Sequence, residues 1–293
     1  MYLAHFGLKE PPFGLTPDTD FFFAGASYRE ALNTLRVAAL GGEGFIKVVG
    51  EVGNGKTLLC RQFLGELEQL AAGGVGFVTA YLPNPYLEPR SLLLALATDL
   101  GVGLDEQATQ HTLVQRLTEA LLKFAAEEKR VVVCLDEAQA MPLETLEVLR
   151  LLTNLETGKR KLLQVVLFGQ PELDAHLSQH SVRQLLQRIT FQCRLGGLRR
   201  EELADYLAHR LSAAGYEGAP VFSGRAEARL YRVTQGTPRL VNIVAHKAML
   251  LAYGQGSRTV SARQIMIAAD DTPQTLRGWG RWWPSDWIRR ASV

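Results

Sequence analysis

A chain of 293 residues, 47% of them hydrophobic and 21% charged, can bury a large core and is expected to divide into one main and one smaller domain. Its 32 Lys and Arg nearly balance 30 Asp and Glu, which excludes a global field that would draw the protein onto nucleic acid or an anionic membrane. Three widely spaced cysteines in apolar segments, Cys60, Cys134 and Cys193, exclude a disulfide framework or zinc site and fit reduced core thiols in the cytoplasm.

In chain order, residues 1 to 25 carry Pro11, Pro12 and Pro17 with an aromatic cluster, Phe6, Phe13 and Phe21 to Phe23. This reads as an irregular packed arm. A helix is expected from Ser27 as N-cap to about Leu40. Short β-rich runs then alternate with helical patterns: FIKVVG (45 to 50), VGFVTAYL (75 to 82), VVVCLDE (131 to 137), LLQVVLFG (162 to 169) and ITFQCRL (189 to 195). Near-continuous apolar strands separated by helices predict an α/β fold, a parallel sheet sandwiched by helices. From Arg199 to Asp270 amphipathic helical patterns take over, which predicts a small all-α domain. The expected segments are therefore an arm and helix (1–40), an α/β core (41–198), a helical lid (199–270) and a Trp/Arg-rich tail (271–293). The N-terminus lacks a signal-peptide pattern, and no uncharged apolar run is long enough to span a membrane.

The stretch GEVGNGKT, Gly50 to Thr57, follows a predicted strand and opens a predicted helix, the context that a phosphate-binding loop requires. Gly50, Gly53 and Gly55 let backbone N–H groups turn inward around a polyphosphate, with Glu51, Val52, Asn54 and Leu58 completing the loop. Lys56 is placed to reach the β and γ phosphates and Thr57 to bind Mg²⁺, so ATP and Mg²⁺ are the expected ligands. VVVCLDE puts Asp136 at a buried strand's C-terminal end, where a carboxylate can hold the metal's water shell. The adjacent Glu137 can polarise an attacking water, which favours hydrolysis over phosphate transfer to a small molecule. Gln170 lies just beyond a further strand, where an amide can orient that water. Far downstream, GTPRLVN places Arg239 at a helix start, with Pro238 pre-setting the turn and Asn242 one helical turn on.

With these residues in place, the chain resembles the AAA+ ATPases, and within them the ExeA/GspA-like group. The similarity covers residues 1 to 270: HFGLKEPPFGLTPDTDFFF, EALNTL, GEGFIKVVGEVGNGKTLLCR, LDEAQ, LRLLTNLET, GQPEL, QRITF and GTPRLVN. Among members of the group the MshM type, of MSHA pilus biogenesis, looks nearest, because the ExeA type continues into a transmembrane and a peptidoglycan-binding region absent from this sequence. The resemblance implies a P-loop NTPase fold with a helical lid. By it Gly50 to Thr57 is Walker A, Asp136 and Glu137 are Walker B, Gln170 stands at sensor 1 and Arg239 at sensor 2. Gln170 departs from the Asn or Thr common at its position. Arg188 in LLQRITF matches the arginine offered to a neighbouring subunit's nucleotide, with Arg183 as the other candidate. A nucleotide-dependent homo-oligomer acting with envelope pilus or secretion assembly proteins is what the group implies.

Other signals weigh less. His176 and His180 are expected to share a helix face, but without a third ligand they make no metal site. Gly158-Lys-Arg-Lys161 is a basic loop tip, open to nucleic-acid phosphates or a solvated turn. The aromatic arm at Phe21 to Phe23 fits either an adenine pocket wall or packing under the helical domain. All four tryptophans, Trp279, Trp282, Trp283 and Trp287, are interleaved with Arg277, Arg281, Arg289 and Arg290 in the tail. That composition suits peripheral contact with the inner membrane or protein docking. The runner-up function is a DNA-engaged AAA+ regulator of the TniB/TnsC transposition type. Balanced charge weighs against it.

Overall fold

The computed structural model describes residues 1–84, 86–103, 107–157, 160–180 and 182–275. The tail tryptophans and arginines, Gly158 and Lys159 lie outside the described residues, as does the side chain of Arg183. In chain order the elements begin α1 (Tyr2–Phe6), α2 (Ala26–Gly41), β1 (Phe45–Gly50), α3 (Lys56–Ala72), β2 (Phe77–Leu82), α4 (Pro89–Asp99), α5 (Gln110–Ala126) and β3 (Arg130–Leu135). They continue with α6 (Leu143–Leu152), a small antiparallel pair β4 (Glu156–Thr157) and β5 (Arg160–Lys161), β6 (Leu163–Gly169), α7 (Glu172–Leu177), α8 (Arg183–Leu186) and β7 (Ile189–Leu195). The helices α9 (Leu203–Ala213), α10 (Gly224–Thr234), α11 (Pro238–Gly254) and α12 (Ala262–Asp270) follow.

Ala26–Gly196 form one compact unit, built on a five-stranded sheet of order β2-β3-β6-β1-β7. Every pairing in it is parallel. All residues of β1 and β6 are buried, which is why these strands read as nearly continuous apolar runs. Of the polar exceptions, Lys47 in β1 ion-pairs with Asp174 of α7, and Gln164 in β6 donates to Ala39 O at 3.2 Å while its buried Oε1 has no hydrogen-bond partner. Ser27 is not the N-cap expected from sequence. It lies inside α2, and its hydroxyl accepts from the Gly196 N–H at 2.9 Å.

Met1–Gly25 and the described residues from Gly197 to Thr275 make up the second unit. The first forty residues, read in sequence as one segment, thus divide at Gly25: the arm joins the helical unit, while α2 joins the sheet. Packing explains the division. Phe6, Phe13 and Phe21 are buried in the core of the helical unit, and Phe23 stands edge-on to Tyr206 with centroids 5.6 Å apart. The buried Arg210 clasps the arm, its Nε donating to Pro12 O at 2.6 Å and its guanidinium lying 4.6 Å from the Phe21 ring centroid. Of the two readings of the aromatic arm, the structure gives Phe21 and Phe23 the packing role.

Candidate nucleotide site

The loop glycines answer to local constraints. A Cβ on Gly50 would stand 2.8 Å from Leu195 O, so β7 leaves that position no side chain. Gly53 and Gly55 both have φ of +84°, and a Cβ on Gly55 would fall 1.7 Å from the Tyr28 hydroxyl. Tyr28, on α2, donates to Gly55 O at 2.6 Å and to Asn54 O at 3.1 Å, and Asn54 Nδ2 donates to Leu195 O at 3.0 Å. The loop is therefore gripped from α2 on one side and β7 on the other. Nothing in the linear sequence ties residue 28 to residue 55, and sequence reasoning missed Tyr28.

α3 begins at Lys56, so the loop sits on the positive end of a 17-residue helix. The Lys56 ammonium is buried and donates to Gly50 O at 2.9 Å and Glu51 O at 3.2 Å. Burial lowers its pKa, opposed first by the nearby Glu137 and then by Asp136. Thr57 Oγ1 donates to Asp136 Oδ2 at 2.5 Å. Asp136 is itself buried, and burial raises its pKa against the Thr57 hydrogen bond and the Glu137 N–H that reaches its Oδ1 at 2.9 Å. Burial is the leading cause of both shifts, the lysine pushed down and the aspartate pushed up, so both charged groups are held out of water beside each other. The donor set fits the expected ligands: hydroxyl and carboxylate oxygens suit Mg²⁺, while the glycine cradle, lysine and helix end suit a polyphosphate.

β6 lies between β1 and β3, so the residue after it emerges between the phosphate loop and the acids. That residue is Gln170. Glu137 follows Asp136 in a left-handed conformation, φ 52°, that turns the chain sharply out of the strand direction. Its Oε2 accepts from Gln170 Nε2 at 3.0 Å and from Gln139 Nε2 at 2.6 Å. Gln139 was not among the expected site residues. The signal was an amide two residues after Glu137, the one polar residue in the AQAM that follows the acids.

Within the unit that carries the loop, Arg188 is not gathered here. Arg188 immediately precedes β7, whose first residue pairs with Phe45 at the start of β1, the end of the sheet away from the loop. Its Nη1 donates to Arg150 O at 3.4 Å. Arg239 is the second residue of α11, exposed, behind Pro238 at the helix start as expected. Asn242 is buried within the helical unit, accepting from the Tyr206 hydroxyl at 2.8 Å and donating to Gly14 O at 3.2 Å, so its work is structural. His176 and His180 do not share a helix face, because α7 ends at Leu177. Among the described residues no group of three or more His, Cys, Asp or Glu is placed to hold a metal ion. All three cysteines are free and buried.

This parallel sheet, with a phosphate loop after β1 and paired acids after β3, is that of a P-loop NTPase. Residues 39–177 match the AAA domain family. Over 282 residues, 96% of its length, the chain is 39% identical to General secretion pathway protein A of Aeromonas hydrophila, of which it spans about half (50%). Over that span it is similar to the ExeA-like AAA+ proteins. Similar solved structures share the fold at low identity. Aeropyrum pernix ORC2, in ADPNP-ADP complexes, aligns with TM-score 0.66 and 17% identity over 91% of this chain and 72% of that one. Drosophila ORC bound to DNA aligns with TM-score 0.66 and 17% identity over 88% and 63%. Cdc6p from Pyrobaculum aerophilum aligns with TM-score 0.66 and 15% identity over 89% and 70%.

Proposed function

We propose that this chain binds ATP with Mg²⁺ and hydrolyses it, using the turnover to rearrange a homo-oligomer. The observation that carries this is the Glu137 carboxylate, held by two amides beside the Thr57–Asp136 pair and close enough to Lys56 to be the leading charge opposing its pKa shift. Bound ATP supplies the scissile phosphoanhydride, and Mg²⁺ supplies charge that offsets the phosphates. Lys56 and the N–H groups of Gly53 to Thr57 hold the β and γ phosphates. Thr57 and Asp136 hold the metal. Glu137 takes a proton from the attacking water, and Gln170 keeps that water in line. Arg239 serves as sensor 2, and Arg188 of one copy completes the site of another.

The process served is assembly of an envelope apparatus, of the type II secretion or MSHA/type IV-like pilus kind. Similarity to General secretion pathway protein A supports this reading, and the MshM type is the subgroup we favour. The protein works on the cytoplasmic side, with the Trp279 to Arg290 tail as a peripheral contact to the inner membrane. Among the described residues no helix is long and apolar enough to cross a membrane. The transposition-regulator reading is disfavoured by the basic run it relied on: Lys161 ion-pairs with Glu156, and Arg160 donates to Ala125 O.

Steady-state phosphate release with Mg²⁺ and ATP tests the reading, with Lys56→Ala losing both turnover and nucleotide binding. The membrane role of the tail is tested by sedimentation with anionic vesicles, using a chain truncated after Thr275. Thr272 and Thr275 are buried and their hydroxyls donate to Ala268 O and Ala269 O of α12, so a cut before them would damage the helical unit. Loss of 276–293 should abolish sedimentation with anionic vesicles and leave phosphate release intact. Undiminished sedimentation of the truncated chain refutes the membrane role of the tail.

A further inference from the structure

The Glu137 carboxylate is joined to the loop after β6 by the side-chain amide of Gln139. Gln139 Oε1 accepts from the backbone N–H of Gln170 at 2.9 Å. An amide whose oxygen faces a backbone donor must turn its NH₂ the other way, so the orientation of Gln139 is set by the protein. That NH₂ meets Glu137 Oε2 at 2.6 Å. The Gln170 side chain reaches the same oxygen at 3.0 Å. The neighbouring backbone keeps this approach open. A Cβ on Gly169 would press on Gln139 Oε1 at 3.2 Å and on Leu173 Cδ2 at 2.7 Å. From below, His176 Nδ1 lies 3.1 Å from Gln139 O, fixing the main chain of the short turn that carries the amide.

We infer that Gln139 is a positioning residue for Glu137: it bridges the acid to the Gln170 backbone, so both amides converge on Oε2 and Oε1 is the oxygen presented to the attacking water. The inference rests on the hydrolytic reading above. Its physical basis is that Glu137 stands at a left-handed turn outside the sheet, where no strand or helix ladder constrains its side chain. A carboxylate there has several rotamers open to it, and the bridge selects one. Because the bridge runs to the backbone of Gln170, whose side chain meets the same carboxylate, the acid and Gln170 are held as a unit rather than independently.

The test compares Gln139→Met, which keeps length and volume without either hydrogen bond, with Gln139→Glu and with Glu137→Gln. Phosphate release is followed across ATP concentration, nucleotide affinity by titration with a fluorescent ADP analogue, and folding by thermal unfolding. For Gln139→Met, kcat should fall about 10- to 100-fold while KM and ADP affinity stay within about 2-fold, the pattern of a misplaced catalytic group. Gln139→Glu should fall at least as far, because it sets a carboxylate against a carboxylate. Adding Gln139→Met to Glu137→Gln should lower the residual rate no further, since there is then no base left to position. If Glu137→Gln is inactive while Gln139→Met keeps its kcat, the bridge is overturned and the hydrolytic reading stands. A parallel loss of ADP affinity and unfolding temperature in Gln139→Met also overturns it, by making the residue merely structural. Wild-type turnover by Glu137→Gln overturns both.

Discussion

Replacing Arg188 by alanine asks whether neighbouring copies complete each other's sites. The register pairs Ile189 with Phe45 at the start of β1, whereas the phosphate loop follows Gly50 at its end. Arg188 therefore sits a strand length from its own loop, about 17 Å at roughly 3.3 Å per residue, beyond the reach of a guanidinium. On the reading proposed above, its part in hydrolysis comes through another copy's nucleotide. Its hold on its own chain includes a 3.4 Å contact to Arg150 O, and losing a bond of that kind costs about 1 kcal/mol or less. Folding should survive. An arginine supplied in trans contributes about a thousandfold or more to phosphoryl transfer, so Arg188→Ala should be nearly silent. Arg188→Lys should recover little, because it keeps the charge and loses the planar fork. Mixed with Lys56→Ala subunits at equal ratio, about one interface in four joins an intact loop to an intact arginine, and roughly a quarter of the wild-type rate should return. Phosphate release is measured against mixing ratio, with sedimentation to establish co-assembly. A co-assembled mixture no more active than its components refutes the reasoning, as does full turnover by Arg188→Ala alone.

Asp136→Asn should stabilise the nucleotide-free protein. Burial raises the carboxyl pKa in the folded state, so its ionised form costs stability at neutral pH, and the cost fades as pH falls through the folded pKa toward the unfolded one. Thermal unfolding should show a gain of about 0.5–2 kcal/mol at neutral pH that closes in acid, together with loss of Mg²⁺-dependent stabilisation by nucleotide. A destabilised variant at pH 7 contradicts this. Tyr28→Phe removes the hydroxyl that grips Gly55 O and should cost about 1 kcal/mol. Nucleotide affinity should weaken several-fold in titrations while kcat at saturating ATP is retained, and unchanged affinity would remove Tyr28 from the loop's support.

How far the sequence discloses this molecule depends on the range of the forces involved. FIKVVG and ITFQCRL coincide with β1 and β7: the first is nearly all apolar because β1 is buried along its length, while the second, at the sheet edge, alternates, with Thr190, Gln192 and Arg194 exposed. VGFVTAYL starts two residues before β2, its first residues still belonging to the turn behind Gly74 at φ 96°. The phosphate loop was legible for a similar reason: a tight turn, a lysine and a helix start are all local requirements. Strand order β2-β3-β6-β1-β7 was not legible, since crossovers and not neighbouring residues decide it. The hydroxyl of Ser27 was read as a cap from its neighbours, but its partner is Gly196, 169 residues away. Tyr28 and Gln139 escaped for the same cause. Each works on a residue by way of tertiary proximity, and only the folded chain brings Gly55 under a phenol or Gln170 against an amide.

The hydrolytic claim is tested most directly by Glu137→Gln, which keeps the size of the side chain and removes its capacity to take a proton. Nucleotide affinity and steady-state phosphate release are measured together on the same preparation. The expected result is ATP binding within a few-fold of wild type, because Lys56, Thr57 and Asp136 are untouched, with phosphate release reduced by about two orders of magnitude or more. Phosphate release at the wild-type rate, with binding intact, would contradict the assignment of Glu137 as the base and with it the reading of this site as a hydrolytic one.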